Sequence, residues 1–166
     1  MPDHPTRKSL HLKTWDYSSG GTYFLTFCTT NHRCLLSTIR RGDPCGRPLL
    51  DLTPLGECVS QAIRYVIRQH KIQLEHWVIM PNHVHLLLTV NRATTRVAPT
   101  PVGGVVGAIK SRAVVLAKEQ GLDAARLWQR GYHDHIVREE TDFLCIWTYI
   151  DQNPQKWELD RYYTPT

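Results

Sequence analysis

Apolar and polar positions along this chain fall into short alternating or continuous runs, interrupted by stretches with helical spacing. Residues 20–30 (GGTYFLTFCTT) open with two glycines and continue through aromatic and β-branched residues, the pattern of a core strand after a turn. Residues 40–48 (RRGDPCGRP) combine glycine, proline and aspartate and read as a loop, whose arginines either meet phosphate or stand in solvent. From Thr53 the run TPLGECVSQAIRYVIRQH supplies an N-cap, a proline at the first helical position and apolar residues at Cys58, Ala62, Ile63, Val66 and Ile67. That spacing predicts an amphipathic helix.

Two strand-like runs, 72–80 and 83–90, are joined at Pro81-Asn82, which predicts an antiparallel hairpin. Residues 91–101 (NRATTRVAPTP) form a polar, flexible connector rather than a domain boundary. A second helix is predicted over 102–120, with Val105, Val106, Ile109, Ala113, Val114 and Ala117 on its inner face and Lys110, Arg112 and Lys118 on wetter ones. Residues 127–137 (LWQRGYHDHIV) read as a further strand. Residues 139–153 form a third helix, acidic at its start as the helix dipole favours and stopped by Pro154. The order β-α-β-β-α-β-α predicts an α+β fold of ferredoxin-like or RRM-like type: an antiparallel sheet with helices on one face, followed by an extra helix.

Length and composition narrow the class. At 166 residues, 42% of them hydrophobic and 21% charged, the chain reads as one domain over residues 1–166 with an ordinary core. No apolar run is long enough to span a bilayer, and the N-terminal MPDHPTRKSLHLK lacks the apolar core of a secretory signal, so a cytoplasmic location and no membrane partner are expected. The five cysteines, odd in number, form no CxxC pair, so neither a disulfide framework nor a zinc knuckle is indicated and they read as reduced, mostly packing thiols. The net charge of +5 is compatible with a polyanionic partner without requiring one.

Within WVIMPNHVHLLL, His83 and His85 are two residues apart, so an extended chain points both imidazoles to one face, with Leu87 and Thr89, while Val84, Leu86, Leu88 and Val90 point to the other. This predicts the histidines on a partly open sheet surface. They are either two hydrogen-bonded strand residues or a pair chelating a divalent cation that needs a third ligand. The last helix offers candidates: Asn153 lies four residues after Tyr149 and Gln152 three, so an amide oxygen and a phenol share a face. Tyr149 is then either a nucleophile beside a metal or a packing residue with a surface hydroxyl.

At these residues the chain resembles a known family. MPNHVHLLL resembles the HUH (histidine, hydrophobic, histidine) motif of single-tyrosine transposases, WTYIDQNPQKW their tyrosine helix, particularly in REP-associated tyrosine transposases, and LWQRGYHDHIVR the segment before it. The likeness runs from Gly21 to Asp160 with three motifs in order. It implies that His83 and His85 bind a catalytic Mg²⁺ or Mn²⁺ and that Tyr149 is the nucleophile. Asn153 stands where related insertion-sequence enzymes place a glutamine as third ligand, with Gln152 the alternative. The implied substrate is single-stranded DNA, often folded as a repeat-element hairpin. Cleavage through a 5′-phosphotyrosine and rejoining by another 3′-hydroxyl give strand transfer, and so DNA transposition and recombination, without ATP; accordingly the chain carries no P-loop or dinucleotide fingerprint.

By the same likeness His135, with Asp134 beside it, orients a ligand, touches the scissile phosphate or simply packs. Lys110, Arg112, Arg130 and Arg138 are candidate phosphate clamps, each equally readable as a solvated charge. Trp77, Trp128, Trp147 and Trp157 read as packing rather than base-stacking residues. Two other classes compete: a non-catalytic nucleic-acid-binding module on the same scaffold, and a metal-dependent hydrolase with a water nucleophile. Assembly as monomer or homodimer stays open, and the 13 residues after Asn153 are expected to be too few to cover the site.

Overall fold

The computed structural model describes residues 20–40, 42, 48–91 and 102–165; the N-terminal segment, most of the 40–48 loop and the connector over 92–101 lie outside them. The expected first strand is β1 (Gly21–Cys28). The hairpin is β4 (Gln73–Ile79) and β5 (His83–Val90), and between them stand the short β2 (Ser37–Arg40) and β3 (Leu49–Leu52) and the helix α1 (Pro54–Gln69). After β5 come α2 (Val102–Glu119), β6 (His133–Val137), α3 (Glu140–Gln152) and a 3-10 turn over Trp157–Leu159. The main sheet is antiparallel in the order β4-β5-β1-β6, an α+β architecture as expected.

Both faces of the central strands are covered. Tyr23, Leu25 and Phe27 of β1 and Val84, Leu86 and Leu88 of β5 face α1 and α2 in the main core. The alternate residues Phe24 and Leu87 face the other way, against Ile146 and Ile150 of α3. The extra helix therefore lies across the sheet from the first two.

α1 begins as expected: Thr53 Oγ1 accepts from Gly56 N at 3.1 Å and donates to the Leu35 carbonyl at 2.6 Å, and Pro54 needs no donor. Gly56 is there because the Leu36 carbonyl passes over it; a Cβ would stand 1.9 Å from that oxygen.

Two expectations are corrected. The β2–β3 ribbon went unpredicted because four-residue strands (STIR, LLDL) hold too little alternation to register; Arg40 pairs across it with Asp51. The strand expected over 127–137 shrinks to β6, because Gly131 takes φ +85° and breaks the extended run, leaving one bridge between Trp128 and Thr29. No helix among the described residues is long and apolar enough to cross a membrane. Cys28, Cys34, Cys58 and Cys145 are free thiols.

Candidate active site

The β1–β5 register puts His85 opposite Thr26 and His83 opposite Cys28. Contrary to the open surface expected, both rings are fully buried. The cover comes from α3 and, unforeseen, from the short segment after it: Tyr162 lies 4.7 Å and Trp157 6.0 Å from the His83 ring, Tyr149 5.2 Å from the His85 ring.

The Nε2 atoms of the two histidines are 3.0 Å apart. His83 Nδ1 donates to Asn82 Oδ1 at 2.9 Å, which leaves its Nε2 a bare acceptor. His85 Nδ1 meets the Thr26 hydroxyl at 2.7 Å, and a hydroxyl can rotate to donate or accept. The pair thus exists either as one N–H···N bond or as two lone pairs converging on a cation. Burial pushes the His83 pKa down to about 4, against the opposing pull of the Asp160 carboxylate. Burial, then the His83 charge, holds His85 well below its ordinary value. Both rings are neutral at neutral pH, as metal ligands must be.

Asp160, which sequence reading missed, completes the cluster: with His83 and His85 it offers donor atoms all within 4.8 Å of one another, an arrangement able to hold a metal ion. Its Oδ2 accepts from the Tyr149 hydroxyl at 3.1 Å and from Asn153 Nδ2 at 2.9 Å, and its Oδ1 accepts from Tyr162 N at 2.7 Å. Asn153, buried at the C-terminus of α3, has an Oδ1 with no hydrogen-bond partner. A buried amide oxygen left unpaired beside neutral imidazoles is the donor set a hard divalent cation satisfies. Gln152 instead accepts from Lys156 Nζ at 2.7 Å.

Tyr149 remains 41% exposed and lines two cavities at the surface. That hydroxyl lies 3.4 Å from His85 Nε2. Burial, then the charge and hydrogen bond of Asp160, push the phenol up to about 12.

Asp134 and His135 line a cavity beside Tyr149, and His135 Nε2 pairs with Asp142 Oδ2 at 2.7 Å. The four candidate clamps divide. Lys110 donates to the Gln129 and Gly131 carbonyls at 2.8 and 2.6 Å and holds the 127–132 loop, while burial pushes it down to about 8. Arg112 lies over the Tyr65 ring of α1, 5.0 Å from its centroid, so both α2 cations sit in the helix layer across the sheet from the histidines. Arg130 and Arg138 are exposed at either end of β6. Arg161 reaches the cavity beside Tyr149 and was not anticipated. Trp77, Trp128 and Trp157 pack as expected, whereas Trp147 is part-exposed and stacks on His76, 4.4 Å between centroids.

The sequence profile of the family described as "Transposase IS200 like" matches residues 47–153. An uncharacterised protein of Haemophilus influenzae is 29% identical over 95% of this chain and 93% of its own. The REP-associated tyrosine transposase of Escherichia coli strain K12 is 24% identical over 84% of this chain and 70% of its own. Among solved structures, a REP-associated tyrosine transposase bound to a REP hairpin superposes with a TM-score of 0.62 at 24% identity, covering 88% of this chain and 73% of that one. A putative transposase from Deinococcus radiodurans gives a TM-score of 0.50 at 18% identity, over 89% and 97% of the two chains, and the likeness to both is one of fold.

Proposed function

Since this chain belongs to the family of IS200-like transposases, we propose that its residues 1–166 form one transposase domain that cleaves and rejoins single-stranded DNA in the cytoplasm, with Tyr149 as nucleophile. The observation that carries the reading is the phenol oxygen of the part-exposed Tyr149, 3.4 Å from His85 Nε2, beside two buried neutral imidazoles and a carboxylate. The solved relative is bound to a REP hairpin, and we take the substrate here to be a repeat hairpin with a single-stranded flank. Tyr149 and the histidines meet within one chain, so cleavage as proposed needs no residue from a second copy, whether the protein acts as a monomer or a homodimer.

His83, His85, Asp160 and the free Asn153 oxygen would hold Mg²⁺ or Mn²⁺, which when bound makes the scissile phosphorus more electrophilic and offsets the Asp160 charge. Asp160, which already accepts the phenol hydrogen bond, takes the Tyr149 proton. The phenolate oxygen forms a bond to phosphorus, and the bond from phosphorus to the 3′-oxygen breaks. That oxygen leaves with a proton from water, giving a 5′-phosphotyrosine and a 3′-hydroxyl. The phosphodiester is conserved in the adduct, so a different 3′-hydroxyl reverses the step and joins new ends.

The test is the wild-type chain against Tyr149→Phe on labelled hairpins with Mn²⁺. A DNA adduct that survives denaturation and vanishes in the variant supports the reading. Binding without cleavage in both would make the chain a binding module, and cleavage without adduct would indicate a water nucleophile.

A further inference from the structure

A cavity of about 480 Å³ opens beside Tyr149, between α3 and β6. Along α3 it is lined by Asp142, Cys145, Ile146 and Tyr149. These positions repeat at three and four residues, so they form one stripe about 10 Å long, with the nucleophile at one end and the Asp142 carboxylate at the other. Phe24 of β1 lies on the sheet side, paired in register with His135 of β6, and Arg161 adds a cation.

The charge arrangement is informative. A carboxylate beside DNA repels phosphate and is tolerated where it accepts hydrogen bonds from a base edge. Here the His135–Asp142 pair stands in the same cavity as the phenol, with an aromatic ring nearby on which an unstacked base can lie. The volume suits one nucleotide.

Resting on the DNA-cleaving reading above, we propose that this cavity receives the base of one nucleotide adjoining the scissile phosphate, and that the His135–Asp142 pair selects a base bearing an exocyclic amino group. Guanine, cytosine and adenine each present amino hydrogens to the carboxylate. Thymine presents carbonyl oxygens on either side of a single N–H and is disfavoured.

The experiment uses the whole chain with Mn²⁺ and a hairpin oligonucleotide whose two positions flanking the cleavage point are each varied through the four bases. The rate of denaturation-resistant adduct is measured for every base. At one position thymine should react about tenfold or more slowly than the best base. Asp142→Asn should flatten that ratio to below about threefold, each variant being compared with itself across the bases. Cys145→Trp, which fills the cavity and keeps the pair, should slow all four bases and supplies a second variant if Asp142→Asn fails to fold. Indifference of the wild-type chain to both flanking bases, an unchanged ratio in folded Asp142→Asn, or a folded Cys145→Trp reacting at the wild-type rate would overturn the proposal while leaving the adduct chemistry intact. Absence of adduct on every oligonucleotide would instead defeat the cleavage reading, and this one with it.

Discussion

Tyr149 donates its hydroxyl hydrogen to Asp160 Oδ2 at 3.1 Å, tying α3 to the segment that follows it. The contact holds the phenol oxygen near His85. It also adds to the burial that pushes the phenol up to about 12. Neutralising the carboxylate, by a proton or a cation, therefore makes the phenol easier to ionise.

Asp160→Asn separates those two effects. Removing the charge should bring the phenol back toward its ordinary value of 10, read as an ultraviolet titration difference against Tyr149→Phe. Loss of the proton acceptor should slow adduct formation about 10²-fold or more. A wild-type rate would remove Asp160 from the chemistry.

Acid should weaken the metal-free protein in a defined window. His83 is held down to about 4 and His85 well below 6.5, so between pH 6.5 and about 4 the unfolded chain binds more protons. Stability then rises with pH across that window and falls on acidification, with a slope approaching about 1.4 kcal/mol per pH unit for each histidine. Urea midpoints measured at neutral pH and near pH 5 check this. An unchanged midpoint would contradict neutral, buried imidazoles.

Divalent metal should stabilise the fold through the same residues. Mn²⁺ at a hundred times its dissociation constant adds about 2.7 kcal/mol, seen as a rise in Tm that EDTA reverses. The rise should be lost in His85→Ala and reduced in Asn153→Ala. An equal rise in His85→Ala would place binding elsewhere.

Two glycines should respond oppositely to alanine. Gly56→Ala drives a Cβ into the Leu36 carbonyl and should cost about 1–3 kcal/mol. Gly107, exposed within α2, has nothing within 4 Å of a new Cβ, and Gly107→Ala should gain about 0.5–1 kcal/mol. Denaturant melts that rank the two alike would refute the close approach at α1.

The pairing of His83 with His85 was legible because a strand repeats every two residues, and the start of α1 because Thr53-Pro54 is a local signal. Tyr149 and Asn153 were legible as one helical face. The burial of the two histidines was not, since part of their cover is built from Trp157 and Tyr162, in a segment with no periodicity. Asp160 was missed for a related reason: it lies beyond the helix stop, and a 3-10 turn brings it back to Tyr149, a path no spacing rule traces. The side of the sheet on which α3 docks was equally hidden, because the apolar residues it packs on, Phe24 and Leu87, stand among threonines and histidines on the face that reads as open.

Asn82 uses both ends of one planar carboxamide. Its oxygen fixes the tautomer of His83, and its nitrogen donates to the Tyr162 carbonyl at 2.7 Å and the His32 carbonyl at 3.1 Å. Rotating the amide by half a turn would set a donor against a donor at His83 and an oxygen against two carbonyls. The aim of a ligand lone pair and the anchorage of the chain's last residues are therefore a single binary choice, and neither can be altered while the other is kept.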